Sequence, residues 1–122
     1  MKNPRKVIKI EIDLRNLARI SYNILFGVPK PFTKARGMVY DSIRNMNYYL
    51  FLMRKDWTNF EKWGLLFDAS LNDFNFHCKL IIDNCRNWLN SSQIAQLLEL
   101  SGEIGKQLNG WLKSGIKDDQ KL

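Results

Sequence analysis

One segment of the chain carries small or apolar residues at alternating spacings of four and three, and this pattern restricts it to a helix. It extends without a break over 29 residues and consists of Phe60, Gly64, Phe67, Leu71, Phe74, Cys78, Ile81, Cys85 and Trp88. Such spacing puts every member on one face of an α-helix, whereas a half-buried strand alternates every second residue. The pattern predicts a core face whose central members are fully buried: Phe67, Leu71, Phe74 and Ile81.

The rest of the chain predicts three further helices and an all-α fold. Similar spacing places helices at about residues 14–27, 33–54 and 91–115, in addition to the segment at 57–89. Upstream of Leu14, three isoleucines alternate with charged residues, so residues 1–13 are expected to form an extended or frayed arm. The connections are short, which predicts an antiparallel up-down-up-down four-helix bundle in a single domain of 122 residues.

Two small residues, Ser101 and Gly105, interrupt the apolar face of the fourth helix. Glycine inside a helix destabilises it by about 0.5–1 kcal/mol relative to alanine. We therefore expect a neighbouring helix to approach closely at this point.

The positive charge of the chain is concentrated in its first half. Residues 1–55 contain twelve Lys and Arg and three Asp and Glu, a net charge of +9, whereas residues 56–122 carry a net charge of −2. A one-sided positive field favours a polyanionic partner, because its condensed counterions are released on binding. The alternative is that the charge only keeps a small domain soluble.

The sequence offers no recognisable catalytic or metal-binding arrangement. His77 is the only histidine, and it lacks the partners that a zinc site or a Ser–His–Asp triad needs, so we expect it at a surface or interface. A phosphate-binding Gly-rich loop motif is also missing. We therefore expect no enzyme activity, no cofactor, no metal and no small-molecule substrate.

The cysteines and the N-terminus indicate a cytoplasmic protein. Cys78 and Cys85 are seven residues apart, about 10 Å along a helix, which is too far for a disulfide within that helix, so we expect reduced core thiols. Lys9, Glu11 and Asp13 interrupt the region that would be apolar in a signal peptide. No stretch approaches the ~20 apolar residues of a membrane span.

Aromatic and basic residues supply the candidate binding surface. Nine of the fifteen aromatic residues fall between Tyr48 and Phe76. We call the apolar face of each predicted helix its seam, and five of these aromatic residues lie off the seams: Tyr48, Tyr49, Phe51, Trp57 and Trp63. Such side chains form an oligomer interface, stack on nucleic-acid bases or fill the core, and the sequence leaves these alternatives open. The candidate phosphate contacts are basic residues of the predicted helices: Arg36, Arg44, Arg54, Lys55, Lys79 and Arg86.

Three groups of short motifs resemble those of a known family. Residues 20–22, 28–30 and 35–38 read Ile-Ser-Tyr, Val-Pro-Lys and Ala-Arg-Gly-Met, and residues 66–69 read Leu-Phe-Asp-Ala. The most specific motif is Glu-Ile-Gly-Lys-x-Leu-x-Gly-Trp-Leu at residues 103–112. They resemble, in turn, the first hairpin, a Leu-Tyr-x-Ala-Asp stretch and the terminal motif of the accessory variability determinant (Avd) proteins of diversity-generating retroelements. The resemblance covers about residues 14–114.

This resemblance implies a non-catalytic accessory protein that binds the retroelement's reverse transcriptase and template RNA, or a DNA/RNA hybrid, and supports mutagenic cDNA synthesis. It also implies four-helix protomers assembled as a homopentameric barrel with a positive surface. The six basic candidates would then contact RNA and the polymerase. His77 and Cys78 depart from the family pattern, which usually has arginine and apolar residues in that region.

An alternative is a sister family, the four-helix bundle proteins encoded by intervening sequences of large-subunit ribosomal RNA genes, which share the terminal glycine motif. Their usual Asn-Ile-Ala-Glu-Gly element after the second helix is missing here, and an aromatic stretch at residues 48–53 occupies its place. Under this alternative the chain is an RNA-binding or protein-interaction module.

Overall fold

The structure, a computed structural model, describes the backbone of residues 4–115 and the side chains of residues 9–113 except that of Trp57. This part of the chain is all-helical and has four long α-helices around a common apolar core: α1 (Pro4–Leu25), α2 (Thr33–Lys55), α3 (Phe60–Asn84) and α4 (Ser91–Gly110). Short 3-10 turns lie in the connections at Lys30–Phe32, Trp57–Asn59 and Arg86–Trp88, and a π-helical turn at Trp111–Gly115 follows α4. Over the described residues, no helix is both long and apolar enough to cross a membrane.

Helix α1 begins at Pro4, so the prediction of an arm over residues 1–13 was wrong for residues 4–13, while residues 1–3 lie outside the described part. Ile10 is fully buried and precedes Leu14 by four residues, so the helical spacing of the buried face continues upstream of the predicted start. Ile12 is 47% exposed. The alternating isoleucines that suggested a strand therefore belong to a helix, in which Ile10 faces the core and Ile12 faces outward.

Helix α3 is shorter than the predicted segment 57–89. It runs from Phe60 to Asn84, and the chain then enters the turn at Arg86–Trp88. Cys85 is still buried, whereas Trp88 is 66% exposed. The turn has rotated Trp88 out of the seam, so the prediction that it belongs to the core face was wrong.

The core combines one face of each helix. The four residues predicted at its centre are all buried, as expected: Phe67, Leu71, Phe74 and Ile81. They join a cluster of buried residues from the other helices, among them Leu14, Leu17, Val39, Met46, Ile104 and Leu108. Cys78 and Cys85 are buried free thiols, and burial raises the pKa of Cys78 to about 12.

The connection between α2 and α3 is organised by Asp56. Its carboxylate accepts hydrogen bonds from Asn59 Nδ2 at 2.9 Å, from Trp63 Nε1 at 3.0 Å and from Thr58 Oγ1 at 3.1 Å. These donors, led by Asn59 and Trp63, hold the pKa of Asp56 below its usual value. The Trp63 indole also stacks on Tyr49, with ring centroids 6.3 Å apart, so these two off-seam aromatic residues join α2 to α3.

Among the described glycines, the tightest packing is at Gly64 and not at Gly105. A Cβ built on Gly64 would lie 2.7 Å from Leu112 Cδ2, closer than real side chains pack. A Cβ built on Gly105 would lie 3.5 Å from Leu71 Cδ2, an ordinary van der Waals contact. Ser101 is buried and its hydroxyl donates to the Asn75 side chain of α3, so this small residue does serve the contact between α3 and α4.

We expect Leu71→Ala to lower the free energy of unfolding by about 2–5 kcal/mol, because the side chain is buried and its removal leaves a cavity. Leu65→Ala is the matched control, since Leu65 lies on the same helix and is 56% exposed. Urea denaturation followed by circular dichroism measures both. A loss for Leu71→Ala of no more than the ~0.5 kcal/mol typical of surface substitutions would contradict its place in the core.

Candidate nucleic-acid interface

Helices α1 and α2 border a cleft of about 270 Å³ on the outside of the bundle. We call it the α1–α2 cleft, and its lining residues are Glu11, Arg15, Ala18, Asn47, Leu50, Phe51 and Arg54. Three further basic residues, Arg19, Arg44 and Lys55, lie within one helical turn of a lining residue on the same helix. The lining and these three residues together form what we call the α1–α2 face.

Two contacts join the two helices, one across the cleft and one where the chain leaves α1 for α2. The Arg54 guanidinium forms an ion pair with Glu11 across the cleft. The Arg36 guanidinium donates from Nη1 to the Phe26 carbonyl oxygen, just beyond the end of α1, at 2.7 Å. Arg36 and Arg54 lie five helical turns apart and therefore on the same side of α2. Two of the predicted phosphate contacts thus also hold the helices together.

The arginines of this face keep donors available to a ligand. The Arg44 and Arg54 side chains are 73% and 49% exposed, although Arg44 pairs with Asp41 and Arg54 pairs with Glu11. A guanidinium has five N–H donors, so one carboxylate does not satisfy it. Arg15 and Arg19 are exposed on α1. Phosphates can therefore be contacted from both sides of the cleft.

The off-seam aromatic residues divide into two groups. Tyr48 and Phe51 are 58% and 54% exposed on α2, and the Lys55 ammonium lies 5.5 Å from the centroid of the Phe51 ring. Tyr49 and Trp63 are half-buried in the α2–α3 packing described above, and the side chain of Trp57 lies outside the described part. Of the three alternatives left open by the sequence, core packing applies to Tyr49 and Trp63, and Phe51 is placed to contact a ligand.

The remaining two predicted contacts lie elsewhere. Lys79 is exposed on α3, and Arg86 lies in the turn after α3, where its 75% exposed side chain is 3.8 Å from Asp83. Neither lines the α1–α2 cleft. The structure therefore divides the six predicted residues into four on α2 and two on or just after α3.

The residues that α1 contributes to the face were not predicted from the sequence. Glu11 was assigned to the arm, and Arg15 and Arg19 were not singled out as binding residues. The sequence does contain a pattern that predicts this part of α1, because apolar residues spaced four and three continue from Ile10 through Leu14 and Leu17. Reading it as one helix puts Glu11 and Arg15, four residues apart, on a common side of α1 next to its buried face.

A second, more apolar groove of about 330 Å³ lies between α2 and α3, and we call it the α2–α3 groove; it is lined by Pro31, Phe32, Lys34, Ala35, Met38, His77 and Leu80. Met38 and Leu80 are 41% and 43% exposed, and Phe76 beside them is 66% exposed. His77 is half-buried, and its Nδ1 lies 2.8 Å from the Asp73 carbonyl oxygen. Over residues whose side chains are described, no three His, Cys, Asp or Glu come together as metal ligands would.

We expect Arg36→Ala to lower the free energy of unfolding by about 1 kcal/mol, because the variant loses the hydrogen bond to the Phe26 carbonyl. Arg44→Ala removes the same charge from a surface ion pair and should change stability by less than about 0.5 kcal/mol. Thermal and urea denaturation of the two variants measures the difference. Equal stabilities would contradict the structural role of Arg36.

No protein-family model, no curated protein and no solved structure matches this chain.

Proposed function

We propose that this protein is a non-catalytic, RNA-binding four-helix bundle whose α1–α2 face holds the phosphates. In the proposed setting, which rests on the motif resemblance, it is the Avd-type accessory protein of a diversity-generating retroelement. It binds the reverse transcriptase and the template RNA and supports mutagenic cDNA synthesis. The observation that carries the RNA-binding part is the clustering of exposed basic residues around a cleft with an exposed aromatic ring.

The charge balance of the face favours a polyanion. Exposed cations lie on both helices: Arg15, Arg19, Arg44, Arg54 and Lys55. The two acidic residues beside them, Glu11 and Asp41, each already pair with an arginine. The exposed charges of α3 are more balanced, since two lysines lie there among three acidic residues: Glu61, Lys62, Asp73, Lys79 and Asp83. A phosphate backbone is therefore attracted to the α1–α2 face, with release of its counterions.

The chemistry of the nucleophile candidates supports a non-catalytic role. The thiol of Cys78 is buried, and its raised pKa of about 12 keeps it protonated at neutral pH. Burial also raises the pKa of Cys85. A protonated, inaccessible thiol is a poor nucleophile. His77 has one ring nitrogen already engaged by a backbone carbonyl and faces an apolar groove.

The motifs of the resemblance fall on parts of the chain that build the fold. Ile104, Leu108 and Trp111 of the terminal motif are buried. The Val-Pro-Lys motif begins the turn between α1 and α2, and Arg36 of the next motif bonds to the end of α1. The shared residues support a common bundle, and we propose that the shared bundle carries the same partners.

We also propose an antiparallel up-down-up-down arrangement and assembly into a homopentamer. Glu11 near the start of α1 meets Arg54 at the end of α2, and Phe26 just beyond α1 meets Arg36 near the start of α2. Asn75 of α3 contacts Ser101 of α4. The exposed apolar residues around the α2–α3 groove provide surface for contacts between copies, because such patches normally mark interaction sites.

Salt-dependent RNA binding tests the proposed face. Arg44→Ala/Lys55→Ala removes two exposed charges from it, and Lys79→Ala/Arg86→Ala is the charge-matched control on and after α3. The first variant should reduce the slope of log affinity against log salt by about 1.4, or about 0.7 per lost contact to single-stranded RNA. The control should keep the wild-type slope.

The measurement is fluorescence anisotropy with a labelled template-type RNA over a range of salt concentrations. Equal slopes in all three folded proteins would contradict the proposed face. Co-purification with a retroelement reverse transcriptase then separates the Avd-type role from that of the ribosomal-intervening-sequence type of bundle.

Assembly is tested by light scattering at micromolar concentration. We expect a particle with five times the mass of the protomer, and a mass limited to the monomer would contradict the proposal. Leu80→Glu places a charge in the α2–α3 groove and should dissociate the assembly. Leu98→Glu, at a similarly exposed position on α4 outside the groove, is the control and should not.

A further inference from the structure

We infer that the α1–α2 cleft is a binding site for one unpaired nucleotide of an RNA strand, with its base inside the cleft and its phosphates at the rim. This inference rests on the proposed RNA-binding function and adds that the site selects single-stranded over double-stranded RNA. It follows from the ring, the size and the polar groups of the cleft.

Phe51 provides a platform for a base. Its ring lines the cleft, and 54% of the residue is exposed, so the ring is accessible to a ligand. Aromatic rings bind single-stranded nucleic acids by stacking on bases, largely without regard to sequence. The Lys55 ammonium lies over one face of the ring, 5.5 Å from its centroid, and does not line the cleft, so a base in the cleft would stack on the other face.

The cleft is of a size suited to a single nucleoside. Its volume of about 270 Å³ lies just below the ~300–1,000 Å³ typical of small-ligand pockets. Leu50, which is almost fully buried, and the small side chain of Ala18 form its apolar part. A duplex keeps its bases stacked inside the helix, so it can reach the rim charges but cannot insert a base.

The cleft has polar side chains that can bind both the base and the phosphates of a nucleotide. The Asn47 amide donates from Nδ2 to the Ile43 carbonyl oxygen at 3.1 Å, which orients the group in the cleft and leaves Oδ1 as an acceptor for a base edge. Amide side chains read base edges in this way when the base is unpaired. Arg15 and Arg54 line the cleft from opposite helices, so they can contact the phosphates on either side of the inserted base, Arg54 through the N–H donors that its pair with Glu11 leaves open.

The experiment compares Phe51→Ala with Tyr48→Ala, a control that removes a similarly exposed ring from α2 outside the cleft. The probe is a short single-stranded RNA with a fluorescent adenine analogue, and the same RNA annealed to its complement. Phe51→Ala should weaken binding of the single strand about five- to 150-fold, the effect of losing one base–aromatic stack. It should also abolish the quenching of the analogue that stacking produces in the wild type.

Binding of the duplex should be unchanged in Phe51→Ala, and Tyr48→Ala should bind both RNAs as the wild type does. Phe51→Leu keeps an apolar side chain without a π face, so it should reproduce the loss while preserving the fold. Unchanged single-strand affinity in both Phe51 variants, or an equal loss for the duplex, would overturn the inference.

The two proposals fail in different ways. If the wild type binds neither RNA, the proposed function fails and the cleft site fails with it. If the wild type binds with the expected salt dependence but the Phe51 variants bind as tightly, the RNA-binding face stands and the nucleotide site is wrong.

Discussion

Burial of the α3 seam sets the orientation of the other helices. Phe67 and Phe74 are completely buried, and each large ring excludes water only if helices pack on it from several sides. Helix α2 contributes Val39 and Met46 to the same buried cluster, which turns its opposite side outward. The outward side of α2 carries the exposed aromatic and basic residues. The binding face is thus a geometric consequence of how α2 meets the core.

The cleft exists because α1 is a helix upstream of Leu14. Burial of Ile10 extends the helix by a full turn and more, and the extension brings Glu11 opposite Arg54. If the chain left the bundle at Leu14, the cleft would lose a wall residue and Arg54 would lose its partner. The N-terminal turns of α1 therefore serve both the core, through Ile10, and the cleft, through Glu11.

Sequence patterns located the helices and the core but not the site. Periodicity depends on neighbours three and four residues apart, and it identified α3 and the burial of Phe67 and Ile81 from local spacing alone. The Glu11–Arg54 pair joins residues 43 positions apart, and no local pattern reports which side chains meet at that separation. The same limit explains why six basic residues were predicted as one surface, although the fold separates Lys79 and Arg86 from those on α2.

The ion pairs of the α1–α2 face are compatible with binding because their arginines are exposed. A surface pair contributes about 0–1 kcal/mol to stability, so exchanging its carboxylate for a phosphate costs the fold little. Arg44 and Arg54 each form such a pair. Without a ligand, the carboxylate partners reduce the repulsion between these arginines and neighbouring cations. Arg36 is different, because its bond to a backbone carbonyl fixes the end of α1. Arg44 and Arg54, which pair with carboxylate side chains, can therefore exchange those partners for phosphates. Arg36, which pairs with a backbone carbonyl, serves mainly to hold α1 and α2 together.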